Sequence, residues 1–126
     1  MKINMPDTYQ HLLSAGINED YSMGYSTYPG FRAGTCTPFK WFDLSKNTVT
    51  QLKIYPITFM EGNFAEDLKM SPHDALKEMT ELVDRVKKYN GSFLCIWHNQ
   101  TVNDLFFWKG WKAVFEQMIE QIKDQH

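Results

Sequence analysis

His98 follows directly on the apolar run Ser92-Phe93-Leu94-Cys95-Ile96-Trp97 and is itself followed by Asn99. An imidazole titrates near neutral pH, so a histidine at the end of a buried strand suits a general acid or base. The same position equally suits a histidine that only caps the strand end through a backbone bond. Arg32, within Gly30-Phe31-Arg32-Ala33-Gly34-Thr35, is the second candidate. Its planar guanidinium equally suits a structural ion pair with Asp20 or Asp43. Trp108, next to Phe106 and Phe107, offers a flat face of the kind that stacks on a pyranose ring, and hydrophobic packing accounts for it equally well. Trp111 lies on an apolar stripe and reads as core.

Other chemistries lack their residue patterns. The sequence has no HExxH, no paired CxxC and no His/Asp cluster at ligand spacing, so no metal site is locally encoded. It also lacks a GxGxxG, a Walker loop and a GxSxG nucleophile elbow. His11, His73 and His126 read as solvated, and Cys36 and Cys95 as buried free thiols rather than a disulfide framework. Lys and Arg number 13 against 15 Asp and Glu, with no basic cluster, which disfavours nucleic acid and anionic membrane as partners. No signal peptide follows Met1, and no apolar stretch approaches the ~20 residues of a membrane span, so the expected setting is soluble and cytoplasmic.

The elements that must hold these residues are legible from pattern. Pro6, Asp7 and Gly16 bracket a first helix. Tyr21-Ser22-Met23-Gly24-Tyr25 and Phe31-Arg32-Ala33-Gly34-Thr35 read as two short strands around a turn at Tyr28-Pro29-Gly30. Further strands are expected over 39–44 and 52–59, with Pro56 marking an edge or an end. Ser71-Pro72-His73-Asp74 caps a helix closed by Asn90-Gly91, with Ala75, Leu76, Met79, Leu82, Val83 and Val86 at helical spacing. The continuous apolar run 92–97 predicts a strand covered on both faces. A last helix is expected over 108–123. Helix, strand, helix in that order is what a parallel α/β sheet or barrel requires, and the 126 residues read as one domain.

Gly30-Phe31-Arg32-Ala33-Gly34-Thr35 and Trp97-His98-Asn99, together with Asp20-Tyr21-Ser22-Met23-Gly24-Tyr25 and Trp108-Lys109-Gly110-Trp111, resemble the C-terminal half of polysaccharide deacetylase-like proteins. These form the NodB-homology, carbohydrate esterase family 4 group, and the resemblance covers roughly residues 6–122. It implies an α/β fold, a partial (β/α) barrel with mostly parallel strands and covering helices, and a substrate that is an N-acetylated glycan. Arg32 matches the family's base-orienting Arg, although the usual Pro two places later is Gly34 here. His98 matches the late His that serves as general acid.

The family's base and its divalent metal ligands, commonly for zinc, belong to two earlier motifs that lie before this stretch. The expectation is therefore a deacetylase-related chain with no cofactor or metal of its own, inactive alone. A missing N-terminal half or a homodimer would complete its barrel and rebuild a working enzyme. The other reading is a non-catalytic module that holds glycan or protein through aromatic loops. Catalytic candidates are His98 and Arg32; substrate-contacting candidates are Trp108, Tyr28 and Asn99.

Overall fold

The structure is a computed structural model and describes residues 2–123, so His126 lies outside the described residues. Helix α1 (Asp7–Ser14) follows Pro6, and Gly16, at φ +79°, ends it in a conformation that side chains disfavour. Its one buried residue, Tyr9, sits on a three-stranded sheet of β1 (Glu19–Asp20), β2 (Phe39–Asp43) and β3 (Thr48–Ile54). The central β3 runs parallel to β1 and antiparallel to β2. Along β3, Leu52 and Ile54 are buried while Gln51 and Lys53 are exposed, the period of two of a half-covered strand. Those residues join Tyr9, Met23 and Trp41 in one core cluster, where the Tyr9 and Trp41 rings meet edge to face at 5.3 Å. Asp43 closes the β2–β3 turn by accepting from the Ser45 hydroxyl (2.6 Å) and amide (3.0 Å), and from Gln10 of α1 (3.1 Å). The Ser45 hydroxyl foremost holds this carboxyl below the ordinary aspartate range.

A second, two-stranded sheet pairs β4 (Phe59–Met60) with β5 (Cys95–Ile96) in parallel. Parallel neighbours need a long crossover, and here it holds a π-helical turn, Asn63–Asp67, and α2 (Pro72–Lys88). Ser71 accepts from the Asp74 amide at 3.2 Å, so the cap and Pro72 start α2 where their residue types predict. Ala75, Met79 and Leu82 of α2 pack with Trp111, Val114 and Met118 of the last helix over Phe59 and Phe64, forming the larger core cluster. Between β5 and that helix lie the short α3 (Asn99–Val102) and a 3-10 turn at Phe106–Trp108; α4 (Trp111–Lys123) closes the described chain.

The α/β class holds, and two of the three strand pairings are parallel. Among the described residues the strands make two small sheets and do not close on each other as a barrel. Several boundaries differ from expectation. The segments Tyr21–Tyr25 and Phe31–Thr35 carry no ladder; Gly30 and Gly34 sit at φ +125° and +73°, which breaks the extended backbone a strand needs. The run 52–59 is divided, β3 ending at Ile54 and β4 starting at Phe59, with Pro56 between them. The run 92–97 pairs only at Cys95–Ile96, and those two residues are half-buried, because a two-stranded sheet leaves β5 without the cover assumed for it. Gly110, at φ +94°, delays the last helix to Trp111. No helix among the described residues is long and apolar enough to cross a membrane.

The irregular segment between β1 and β2 is held by backbone bonds rather than by a ladder of its own. Gly30 donates to the Thr58 carbonyl at 2.8 Å, Ile57 to Met23 at 2.9 Å, and Ser92 to Cys36 at 2.9 Å. The last contact brings the chain after α2 so close that a Cβ on Gly91 would stand 2.8 Å from the Cys36 carbonyl oxygen. Gly91→Ala is therefore expected to lower the unfolding free energy by about 1–3 kcal/mol, the scale of overpacking. Urea denaturation measures it, and an unchanged midpoint would mean the two segments are not in contact.

Candidate functional site

The parallel register Phe59↔Cys95 and Met60↔Ile96 brings the carboxyl ends of β4 and β5 side by side. Glu61 leaves the first end and Trp97-His98 the second, the position where α/β folds place their sites. Glu61 is fully buried, with no exposed surface. Its Oε1 accepts from the His98 amide at 2.5 Å and from the Thr101 hydroxyl at 2.6 Å, and lies 2.8 Å from His98 Nδ1. Its Oε2 lies 3.1 Å from the same Nδ1 and accepts from the Gly62 amide at 3.3 Å. A buried carboxylate is stable only where donors converge on it, and these are supplied by three separate elements.

Local structure explains the placement of each donor. Immediately after β4 the chain winds into the π-helical turn, a form often found at functional sites. Buried Asn63 fixes the turn: its Oδ1 accepts from the Met60 amide at 3.0 Å, and its Nδ2 donates to the Ser26 carbonyl at 3.3 Å. On the other strand, His98 has extended backbone (φ −98°, ψ 148°) and precedes α3, whose first turn carries buried Thr101 back to the carboxylate.

The arrangement fixes the imidazole. A carboxylate among donors only accepts, so Nδ1 carries the proton that faces Glu61, and Nε2 is left to exchange a proton with a ligand. The His98 side chain is 55% exposed. It borders a cavity of about 280 Å³ shared with Asn63, Glu66, Asp67 and Gln100. One edge held by a buried carboxylate and the other open to solvent is the geometry of a positioned general acid or base. Among the described residues, no group of three or more His, Cys, Asp or Glu side chains is placed to hold a metal ion.

The other candidates fall elsewhere. Arg32 is half-buried and donates through Nη1 to the Gly24 carbonyl at 3.3 Å; among the described residues it pairs with neither Asp20 nor Asp43. Asp20 is taken by the Tyr9 hydroxyl (3.0 Å) and the Ser22 hydroxyl (2.5 Å), as Asp43 is by Ser45. Burial foremost, then Asp20, pushes the Tyr9 hydroxyl up, and the Arg32 charge opposes this, so Arg32 acts on the α1 side of the molecule. No hydrogen bond joins it to the Glu61–His98 pair among the described residues. Tyr28 is half exposed against Tyr25, ring centroids 4.3 Å apart, and does not line the His98 cavity. Asn99 is exposed at the start of α3, beside His98 in the chain. Trp108 is half-buried and lines a second, larger cavity, while Trp111 is buried in the core. His11 and His73 are exposed, as read from sequence, and Cys36 and Cys95 are free thiols. Cys36 is buried; Cys95 is half-buried, and burial pushes its thiol up to about 11.

Glu61 is a candidate site residue that no local sequence pattern singles out. The rule that ranked His98, a polar group just past a strand's carboxyl end, selects Glu61 as well once β4 is ended at Met60. No protein-family model, curated protein or solved structure matches the chain.

Removing the carboxylate strands buried donors, whereas removing the half-exposed ring strands far less. Glu61→Ala is expected to cost about 2–5 kcal/mol of unfolding free energy and His98→Ala about 1 kcal/mol or less. Parallel denaturation curves check this ordering; equal losses would show that Glu61 serves only its hydrogen bond with His98.

Proposed function

We propose that the chain supplies the general-acid side of a polysaccharide deacetylase-related hydrolase acting on N-acetylated sugars. The observation that carries the reading is the buried Glu61 carboxylate against His98 Nδ1. When water adds to an acetamido carbonyl, the carbon–nitrogen bond breaks only as the nitrogen gains a proton. His98 Nε2–H supplies it and Glu61 stabilises the imidazolium before transfer. Arg32, matched by resemblance alone, would orient the base carboxylate; its long bond to Gly24 leaves guanidinium donors for that purpose.

In this reading the base and the metal ligands come from an N-terminal half carried by a partner, and the chain is inactive alone. The half-buried β5 and the unpaired edges of its two-stranded sheet support a barrel continued by further strands. A non-catalytic binding module is the second reading, favoured by Phe106 and Phe107, 95% and 62% exposed beside Trp108.

Titration with N-acetylglucosamine, followed by NMR, tests the first reading. The His98 ring and Gln100 amide resonances should shift, and Glu61→Gln should remove the response. With zinc added, the chain alone should release no acetate from chitin oligosaccharides beyond the His98→Ala background. Turnover above that background would overturn the inactive-alone assignment. Sugar shifts confined to the aromatic loop would favour the binding module.

A further inference from the structure

Leu105, Phe106 and Phe107 form the tip of the loop between α3 and α4, and they are 58%, 95% and 62% exposed. Adjacent large apolar side chains that face water make a contiguous patch of the kind that marks a docking surface. The loop presents them in a defined shape. Asp104 and Phe106 have φ of +62° and +52°, values that non-glycine residues rarely adopt. Asp104 Oδ1 holds that shape by accepting from the Gly110 amide at 2.7 Å. The Trp108 and Lys109 amides donate back to the Leu105 and Phe106 carbonyls at 3.0 and 3.2 Å. At the base, the Trp108 ring is wedged by perpendicular contacts to Phe107 (4.9 Å) and Trp111 (6.0 Å). An unfavourable backbone thus holds a phenylalanine away from the core, which gains the isolated chain nothing.

Cationic groups stand behind the tip. Lys109 and Lys112 follow it in the chain, both exposed, and exposed Lys69 lines the same groove of about 760 Å³ as Phe107, Trp108 and Lys109. Among the described residues, none of these lysines is paired with a carboxylate. Glu66 lines the groove as well, whereas Asp104 is turned onto the Gly110 and Lys112 amides. Lys69 is distant from the other two in the sequence, so this basic cluster exists only in the folded chain. An apolar tip, an aromatic ring at its base and unpaired cations behind it match an anionic bilayer surface layer by layer: acyl chains, aromatic belt, headgroups. A protein partner would need a pocket shaped around Phe106. A convex tip enters lipid without one.

We propose that the 105–107 tip inserts into the interface of a membrane carrying anionic phospholipid, with Lys69, Lys109 and Lys112 against the headgroups. Docked this way, the chain lies on the membrane and does not cross it. The proposal stands independently of the chemistry assigned to His98.

Flotation of the full chain with vesicles of equal parts phosphatidylcholine and phosphatidylserine tests it. The chain should float with them, and binding to phosphatidylcholine alone should be weaker by about tenfold or more. Phe106→Ser should weaken binding to the anionic vesicles by about tenfold or more. Its ring is almost wholly exposed, so the unfolding midpoint should not move. Lys109→Glu combined with Lys112→Glu should remove the preference for the anionic vesicles. Flotation with neither vesicle, equal binding to both, or binding that survives Phe106→Ser would overturn the proposal. Sedimentation velocity without lipid covers the other occupant. A dimer that Phe106→Ser returns to monomer, with no flotation, would overturn the membrane assignment and give the tip to a second copy.

Discussion

A carboxylate with no solvent exposure has to be surrounded by donors or it destabilises everything packed around it, and Glu61 imposes that requirement on three parts of the chain. β5 must deliver the His98 amide and ring, α3 must turn at once to bring Thr101 back, and the π-helical turn must direct the Gly62 amide inward. The parallel register of β4 and β5 follows from the same need, since it alone places residues 61 and 98 at one end of one sheet. The larger core, made by α2 and α4 over Phe59 and Phe64, holds that short sheet from beneath. The smaller core around Tyr9 and Trp41 is joined to it through the 55–58 stretch and the loop before β2.

How much of this was legible in the sequence varied with the range of the interaction responsible. Helix α2 was readable because its cap, its proline and its apolar spacing are local, and each acts within a turn or two. The stretches Tyr21–Tyr25 and Phe31–Thr35 have the aromatic content of strands, but long-range bonds such as Gly30 to Thr58 and Asn63 to Ser26 decide the path of this part of the chain. Trp108 stands at the expected start of the last helix, and the left-handed backbone of Phe106 and Gly110 leaves it instead in the turn before that helix, lining a groove.

The site was half legible for the same reason. His98 stands next to a recognisable strand, so its position was visible from sequence alone. Its partner stands 37 residues earlier in the chain, and only the pairing of β4 with β5 brings the two together. Arg32 shows the opposite case. Its motif was visible, yet its guanidinium reaches the Gly24 carbonyl and the neighbourhood of Tyr9 rather than the histidine.

The central claim is that Glu61 fixes the proton on one nitrogen of His98 and leaves the other to react. Long-range nitrogen–proton correlation NMR of the His98 ring, in wild type and in Glu61→Gln, reads this directly. The account predicts that the wild-type ring keeps its proton on Nδ1 and leaves Nε2 without one, and that this preference is lost in the variant. A wild-type ring protonated at Nε2, or one whose tautomer is the same in both proteins, would contradict it.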